Sequence, residues 1–561
     1  MKKAIPALIA IALIIVIGAA TLGTGILTKF RYSDNKRDLM EYYELTAPDQ
    51  VAIVLQNERI EEKAKLHQGV YYLDFPHVQS LLNDRFYADF NEGLLLYTLP
   101  DRIVRTEIGS STYLDGEEKE EPYQISFMEE ETLFVALDYV AKYTKFDYAT
   151  FENPNRMQLR TTWSEAEKAI IKKDTAVRYQ GGVKSDILRK IAKEERVTIL
   201  EEMEKWVKVK TEDALIGYVE KKYLKGRGVV QEQAENTYEE PEYSNLVRDH
   251  KINLGWHQVM VESANDTLGE VLANTKGLNV ISPTWFTLRD NEGTVGCIAS
   301  SAYVKDAHNR GLEVWALFDN FTYDISTFEN LSFTSKRSKI INSLMEGANT
   351  YGFDGINVDF EMLSYDAGEH FVEFIRELSI ACRANNLVLS VDNYVPREST
   401  THYNRKEQGI VADYVIIMGY DEHWGSGGVA GSVASIDFVE DGIMQTVAEV
   451  PSNKIINAVP FYTRVWKTKG GTVTSDALGM EAAENFVKNN GVKVDWDDAT
   501  CQNYGEIQKG DTLYQVWLED EQSITTKCNI MKKYELGGIA AWKLGFEKPS
   551  IWNVIAEYCN S

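Results

Sequence analysis

Eight short apolar runs in the second half of the chain constrain its fold more than any other feature. They begin near residues 252, 280, 313, 355, 387, 414, 455 and 537, and each has the length and composition of a buried β-strand. Amphipathic segments with helical spacing separate several of them. This alternation predicts an α/β fold, a (β/α)8 TIM barrel over residues 251–561. The surplus around 467–525 predicts a small α+β insertion.

The fourth run, within GFDGINVDFEML (352–363), carries polar side chains at every second position. Asn357, Asp359 and Glu361 alternate with apolar residues. Side chains of a strand alternate between its faces, so these three share one face, with roughly 6.6 Å between neighbours along the backbone. In a parallel barrel that face points inward. Burying unpaired carboxylates is costly, so the row predicts a polar ligand at the C-terminal mouth of the barrel, where barrel active sites open.

The same stretch resembles the signature of glycoside hydrolase family 18, in the strand where that family carries it. Further matches follow in order: MGYDEHW at strand six, VPFYTRVW at strand seven and AAWKLGFE at strand eight. The resemblance covers about residues 251–561. It implies a glycosidase that needs no cofactor and no metal, in which the 2-acetamido group of the sugar is the nucleophile and the outcome is retention.

The resemblance also implies roles for individual residues. Glu361 would be the general acid and base, Asp359 would orient the acetamide, and Tyr420 would donate a hydrogen bond to its carbonyl oxygen. Asn357 stands where many members have Asp, and because an amide cannot share a proton with Asp359, the control of the Asp359 charge is left open. Substrate contacts are implied for Asn357, Asp421, Trp542, Tyr462 and Arg464.

The motifs around strands six and seven look most like the spore-cortex and cell-wall glucosaminidases of this family. The implied reaction is cleavage after N-acetylglucosamine in peptidoglycan or in chitin-type glycans, and the sequence leaves both substrates open, as it does exo and endo cleavage. A different class of function also stays open: a wall protein on the same fold that binds glycans without hydrolysing them.

The N-terminus predicts export. Lys2 and Lys3 precede an uncharged, largely apolar run from residue 4 to residue 28, long enough to cross a bilayer. We interpret residues 1–30 as an uncleaved single-pass membrane anchor. The alternative is a cleaved signal that ends near Gly18-Ala19-Ala20. Both interpretations place the catalytic domain outside the cytoplasm.

Three segments separate this N-terminus from the barrel. Residues 40–165 resemble the α+β stalk domain first described in copper amine oxidases, without implying copper chemistry. Residues 173–226 have several short β-rich segments and resemble bacterial SH3-like domains, either as a spacer or as a binding module. Residues 227–248 are acidic and are predicted to be a linker.

Composition excludes some classes of partner. The net charge of -26 and the pI near 4.9 argue against nucleic acid, which needs clustered Lys and Arg. The five cysteines contain no CxxC pair, and the eight histidines show no spacing typical of metal ligands. We therefore expect a monomer whose partners are a polysaccharide substrate and, through the anchor, a membrane.

Overall fold

The computed structural model describes residues 11–16 and 31–560. These residues divide into two compact units: 31–86 with 106–240, and 87–105 with 241–560. The predicted anchor, residues 1–30, lies outside the described residues except for 11–16. Within the part of the chain that is described, no helix combines the length and the apolar character needed to cross a membrane.

The first unit contains two seven-stranded sheets. The first sheet has the strand order Asp147–Phe151, Arg156–Arg160, Gln50–Leu55, Glu58–His67, Val70–Asp74, Thr132–Ala136, Ser126–Glu129. The second has the order Ile187–Ile191, Thr175–Arg178, Ile216–Glu220, Trp206–Thr211, Arg196–Glu202, Glu165–Ile171, Leu224–Gln231. Because its last strand ends at Gln231, the first residues of the predicted linker are part of this sheet.

Short elements complete the first unit. They are the helices Leu39–Tyr43, Phe75–His77 and Leu137–Val140 and the hairpin Thr112–Asp115 with Glu117–Glu120. The helix Leu39–Tyr43 begins at Asp38, whose side chain accepts a hydrogen bond from the Met40 amide. It buries two tyrosines in the core of the second sheet, where Tyr42 donates to the Ile216 carbonyl at 2.7 Å.

The second unit is the predicted barrel, and its eight strands are confirmed. They are β1 Ile252–His257, β2 Val280–Leu288, β3 Glu313–Asp319, β4 Gly355–Asp359, β5 Val388–Tyr394, β6 Tyr414–Met418, β7 Ile455–Pro460 and β8 Gly538–Trp542. All neighbouring pairs are parallel, and β1 pairs with both β8 and β2, so the sheet is closed. A short strand, Val295–Cys297, extends β2.

Helices cover the outside of the barrel. Their bounds are Leu268–Val271, Ser301–Asn309, Thr327–Leu331, Thr334–Tyr351, Gly368–Ala384, Arg405–Val411, Ile436–Val447, Glu521–Lys533 and Ile551–Cys559. The apolar residues of β4 and Phe360, which directly follows it, pack on this layer: Phe360 is 1% exposed and stacks on Phe374, with ring centroids 6.0 Å apart. The outward half of the β4 alternation is thereby used for the core, which leaves the polar half for the interior.

Two segments are added to the barrel. Between β7 and β8 a five-stranded sheet, Tyr462–Lys469, Thr472–Gly479, Lys493–Asp497, Gln502–Lys509 and Thr512–Leu518, packs with the helix Met480–Asn490. This is the predicted insertion, and it begins directly after β7. Residues 87–105, which the sequence assigns to the stalk-like segment, belong to the barrel unit instead; there Asp89 accepts hydrogen bonds from the Thr334 amide and hydroxyl at 2.7 and 2.6 Å.

Candidate active site

The polar row of β4 lies inside the barrel, at its C-terminal mouth. Asn357 is fully buried, Asp359 is 7% exposed, and Glu361 follows the last residue of the strand by two positions and is half-buried. One oxygen of Asp359, Oδ1, is buried without a hydrogen-bond partner among the described residues. Since a buried polar atom normally has a partner, this oxygen points to a group that is supplied from outside the protein.

Asn357 is held by a complete hydrogen-bond network. Its Oδ1 accepts from Trp256 Nε1 at 2.8 Å and from Ser282 Oγ at 3.2 Å. Its Nδ2 donates to Ser390 Oγ at 3.1 Å and to Asp392 Oδ1 at 2.8 Å. With both amide atoms occupied by side chains of β1, β2 and β5, Asn357 has a fixed orientation and supports the site from inside the barrel.

A second polar row on β5 faces the first. Ser390, Asp392 and Tyr394 occupy alternate positions on β5, as Asn357, Asp359 and Glu361 do along β4 and just past its end. The strand register pairs Asn357 with Ser390. Sequence reasoning missed this row, although the stretch LVLSVDNY shows the same period of two. The signal that could have found it was this alternation in a strand otherwise rich in core residues.

Glu361 is positioned by two neighbouring side chains. The amide of Asn320 brackets its backbone, donating to the Glu361 carbonyl at 2.9 Å and accepting from the Glu361 N–H at 3.0 Å. Tyr394 Oη donates to Glu361 Oε2 at 2.6 Å. The carboxyl group is therefore fixed although it lies in a loop, and one of its oxygens is occupied by a donor.

Negative charge is concentrated at the mouth of the barrel. Burial raises the pKa of Asp359 well above its usual value, and every charged neighbour that adds to the shift is a carboxyl: Asp392, Glu361 and Asp319. Burial likewise raises the pKa of Asp392 far above normal, although the Asn357 amide opposes this. No group of three or more acidic, His or Cys side chains in the described chain is arranged to hold a metal ion. Because burial and the neighbouring carboxyls favour the protonated forms, the cluster binds protons more readily than isolated carboxyls do.

Burial also raises the pKa of Glu361. The hydrogen bond from Tyr394 lowers it, and the charges of Asp421 and Asp319 raise it again. Asp319 is paired with Asp359 across β3 and β4, and its Oδ1 accepts hydrogen bonds from Thr287 Oγ1 at 2.5 Å and from the Phe321 amide at 3.1 Å. A carboxyl with a raised pKa keeps its proton to higher pH than an ordinary glutamate does, which suits a general acid.

Tyr420 and Asp421 follow the end of β6. Burial, and after it the charge of Asp359, keep the pKa of Tyr420 well above its ordinary value, so its hydroxyl stays a donor. Asp421 accepts a hydrogen bond from Tyr462 Oη, and the Tyr420 and Tyr462 rings lie edge to face with centroids 6.3 Å apart. These three predicted site residues are thus brought together.

Trp542 ends β8, with its ring centroid 6.0 Å from that of Trp256, the residue that donates to Asn357. A cavity of about 330 Å³ opens beside it and is lined by Asp359, Asp319 and Trp542, by Arg289, and by further polar and apolar side chains. Arg464 lies further out, on the first strand of the insertion, where its Nη1 donates to Ser475 Oγ at 3.1 Å.

Other aromatic residues of the barrel unit divide between packing and exposure. Trp285 is buried and donates to Asn265 Oδ1 at 2.8 Å, and burial lowers the pKa of His257 to about 4. Trp517 packs on Tyr504 in the insertion. Trp424, by contrast, is 49% exposed.

Comparison with known proteins identifies the family to which this closed parallel barrel belongs. The profile of Glycosyl hydrolases family 18 matches residues 239–547, more than half of the chain, and the profile of the Bacterial SH3 domain matches 173–225. The protein is therefore a glycosidase. It belongs to glycosyl hydrolase family 18, with a bacterial SH3 domain upstream of the barrel, and both resemblances found in the sequence are confirmed.

Individual relatives show how far the similarity extends. The uncharacterized glycosylase YvbX of Bacillus subtilis (strain 168) is 26% identical over 293 residues, which cover 50% of this chain and 84% of that protein. The cortical fragment-lytic enzyme of the same organism is 31% identical over 239 residues, 40% of this chain. Only 54% of that enzyme is matched, so the chain spans about half of its length.

Solved structures support the barrel fold. The C-terminal domain of a candidate chitinase from Desulfitobacterium hafniense DCB-2 superposes with a TM-score of 0.51 at 18% identity, covering 56% of this chain and 99% of that one. The spore cortex-lytic enzyme SleL of Bacillus cereus has a TM-score of 0.50 at 22% identity, with 55% and 74% covered. At these identities the likeness concerns the fold.

Proposed function

We propose that the protein hydrolyses the β-1,4 linkage after N-acetylglucosamine by a retaining, substrate-assisted mechanism with Glu361 as acid and base. The observation that carries the proposal is the pairing of a half-buried Glu361, whose pKa is raised, with a buried Asp359 that has an unpartnered oxygen. Two carboxyls in such different environments suit two different roles.

In the first step, the protonated Glu361 gives its proton to the glycosidic oxygen while the acetamide carbonyl oxygen of the sugar attacks the anomeric carbon. The bond to the leaving group breaks, and an oxazolinium ion forms. In the second step water attacks the same carbon, the oxazolinium ring opens, and the water proton passes to Glu361. The acid is thereby restored, and the anomeric configuration is retained.

Three other side chains serve the acetamide and the sugar ring. Asp359 Oδ1 accepts the acetamide N–H and balances the charge of the oxazolinium ion. Tyr420, which keeps its proton, donates to the acetamide oxygen and orients it for attack. Trp542 provides an apolar surface under the sugar beside the cavity. Asp421, Tyr462 and Arg464 are assigned to sugar hydroxyls further along the mouth.

Asp392 can control the charge of Asp359, which the sequence left open because residue 357 is an amide. An amide cannot hold the proton that a carboxyl at position 357 would share with Asp359, but Asp392 accepts from Asn357 Nδ2 at 2.8 Å and is the charged neighbour that raises the pKa of Asp359 most. We assign Asp392 as the carboxyl that stores a proton while Asp359 is ionised. It is a positioning residue, since it acts through Asp359.

Peptidoglycan is the substrate we favour, and the chain is proposed to act outside the cytoplasm. Relatives of the barrel include a cortical fragment-lytic enzyme, the upstream module is a bacterial SH3 domain, and the N-terminal sequence predicts export. Membrane anchoring and a monomeric state remain predictions. Chitin oligomers share the same sugar and linkage and are the comparison substrate.

The test is product analysis by mass spectrometry after incubation of the full chain with purified peptidoglycan and with chitin oligomers. Wild type is expected to release fragments with reducing-end N-acetylglucosamine. Glu361→Gln should lower turnover by about 10²–10⁴-fold, the range that general acid–base catalysis supplies. The matched control is Glu346→Gln, at an exposed position on the helix Thr334–Tyr351.

Two outcomes would count against the mechanism. If Glu361→Gln kept full turnover, Glu361 could not be the general acid. Glycan binding without any product from wild type would restore the alternative of a non-hydrolytic wall protein.

A further inference from the structure

A positively charged cavity lies in the first unit, whereas the chain as a whole carries a net charge of -26. The cavity has a volume of about 260 Å³. Its lining includes four cations, Arg160, Lys168, Arg196 and Lys210, against two acids, Glu212 and Glu232. We call this feature the basic pocket.

Strand register explains why the cations converge. On three adjacent strands of the SH3-like sheet, Lys168 pairs with Thr198, and Thr198 pairs with Lys210. Neighbouring strands are about 4.8 Å apart, so the two lysines lie on one face with the threonine hydroxyl between them. Arg196 is two residues before Thr198 and shares that face. The opposite face, with Ala169, packs in the core of the sheet.

The cations of the basic pocket are poorly compensated. Among the described residues only Lys168 of the four forms an ion pair, with Glu232 at 3.3 Å. Lys210 is 5% exposed, and its ammonium donates to a backbone carbonyl, that of Gln56, at 2.5 Å. Arg160 Nε is buried without a hydrogen-bond partner in the described chain. A buried ammonium without an ion-pair partner is unfavourable unless something neutralises it.

Electrostatics agree with this geometry. Burial, and after it the charge of Arg160, lower the pKa of Lys210 to about 8, with Lys168 contributing in the same direction and Glu232 opposing it. Burying the charged form of Lys210 therefore costs free energy, and a bound anion would offset that cost.

We propose that the basic pocket binds an oxyanion, the phosphate or carboxylate group of a ligand. Arginine and lysine side chains with a hydroxyl between them are the donors that recognise such groups, and donors that carry charge make the stronger hydrogen bonds. The volume suits one small anionic group rather than a chain of sugars. This site belongs to the first unit and does not depend on the mechanism proposed for the barrel.

The test is calorimetric titration of the full chain with sulfate, phosphate and acetate, at an ionic strength held constant with chloride. We expect saturable binding of the oxyanions. In the double variant Lys168→Gln/Arg196→Gln the affinity should fall by about tenfold or more, because two charged donors are lost. The matched control is Lys190→Gln, an exposed lysine on the strand Ile187–Ile191 of the same sheet, which should bind as wild type does.

The pH dependence supplies a second readout, and sulfate is the probe because its charge is constant. The charged groups that face Lys210 are Arg160, Lys168, Arg196, Glu212 and Glu232, and the pKa of Lys210 itself is lowered to about 8. Sulfate affinity should therefore fall in wild type as the pH rises through about 8. In Lys210→Met the affinity should stay constant over this range.

Each outcome decides the proposal. Equal sulfate affinity in wild type and in Lys168→Gln/Arg196→Gln would overturn it, as would binding that chloride abolishes entirely. A preference for phosphate over acetate would support a phosphate-bearing ligand, and the reverse preference a carboxylate.

Discussion

The barrel mouth and the basic pocket each bury like charges, carboxyls in the first and cations in the second. At the mouth, burial raises the pKa of Asp359, Asp392 and Glu361, and the charge of Glu361 adds to the shift of the two aspartates, so the cluster can hold protons. In the basic pocket, burial and a neighbouring cation lower the pKa of Lys210 to about 8, so the cluster tends to lose a proton. Both regions lack full compensation.

The difference shows what each region can do with its charge. Carboxyls with raised pKa values can exchange protons at neutral pH, which is a requirement of acid–base chemistry. Arginine cannot release a proton, so loss of the Lys210 proton leaves the arginine charges in place, and a bound anion would neutralise them. Bound protons can therefore neutralise the carboxyls of the barrel mouth, whereas the arginine charges of the basic pocket need a bound anion.

The largest effect should come from adding a carboxyl to the barrel mouth. Asn357→Asp replaces the donor to Asp392 with an acceptor and places another acid among buried acids. We expect the free energy of unfolding at pH 8 to fall by about 3 kcal/mol, and by less at pH 5, where the acids are protonated. Urea denaturation at both pH values measures this.

The double variant Asn357→Asp/Asp392→Asn tests the reason for that loss. It exchanges the amide and the carboxyl between β4 and β5, and most of the stability should return because the pair again has one donor and one acceptor. If the double variant were less stable than either single variant, the pairing of the two residues would not be the cause.

The basic pocket should show a smaller effect with the opposite dependence on pH. Lys210 has its pKa lowered from an ordinary value of about 10.4, so between pH 8 and that value the unfolded chain binds more protons than the folded one. Stability should therefore rise with pH in this window, by about 2–3 kcal/mol from this residue. Lys210→Met should lack that rise, whereas Lys190→Met should keep it; an identical slope in all three proteins would contradict the assignment.

Asp392→Asn alone should affect catalysis more than folding. An amide at 392 can still offer its oxygen to Asn357 Nδ2, but it cannot store a proton, so kcat should fall by about tenfold, or roughly 1.4 kcal/mol. Ser390→Ala is the control, because it removes another partner of Asn357 that does not titrate.

The stability of Asp392→Asn provides a check on the charge state. With a raised pKa, the folded Asp392 binds a proton that the unfolded chain releases above about pH 3.9, so its contribution to stability declines as pH rises. The variant should gain stability relative to wild type between pH 4 and pH 8. A pH-independent difference would show that Asp392 is ionised in the native state.

The sequence predicted the barrel and one of its two polar rows. The barrel strands are short apolar runs separated by helical segments, and the β4 row contains a family signature, so both could be recognised in the sequence. The β5 row has the same period, but Ser390 and Tyr394 are common strand residues, and their importance comes from contacts with Asn357 and Glu361.

The basic pocket could not be predicted in this way. Lys168 and Lys210 are 42 residues apart in the sequence, and they share a face only because both pair with the strand that carries Thr198. Pairing register follows from the packing of the whole sheet, so separated cations look like ordinary surface charge. That residues 87–105 belong to the barrel unit could not be predicted for the same reason, because the sequence of a strand does not show which strand it pairs with.

The smallest effect concerns Tyr394, whose hydroxyl donates to Glu361 Oε2 at 2.6 Å and favours the ionised carboxylate. In Tyr394→Phe the pKa of Glu361 should rise by up to about one unit. The acid then stays protonated at higher pH, so the basic limb of the kcat/KM profile should move to higher pH, measured with a soluble chitin oligomer. Tyr403→Phe is the control, because Tyr403 donates to the Phe360 carbonyl and not to the acid. A purely structural role for Tyr394 would lower the Tm of the variant and leave the limb in place, whereas a direct bond to the acid in the free enzyme requires that the limb move.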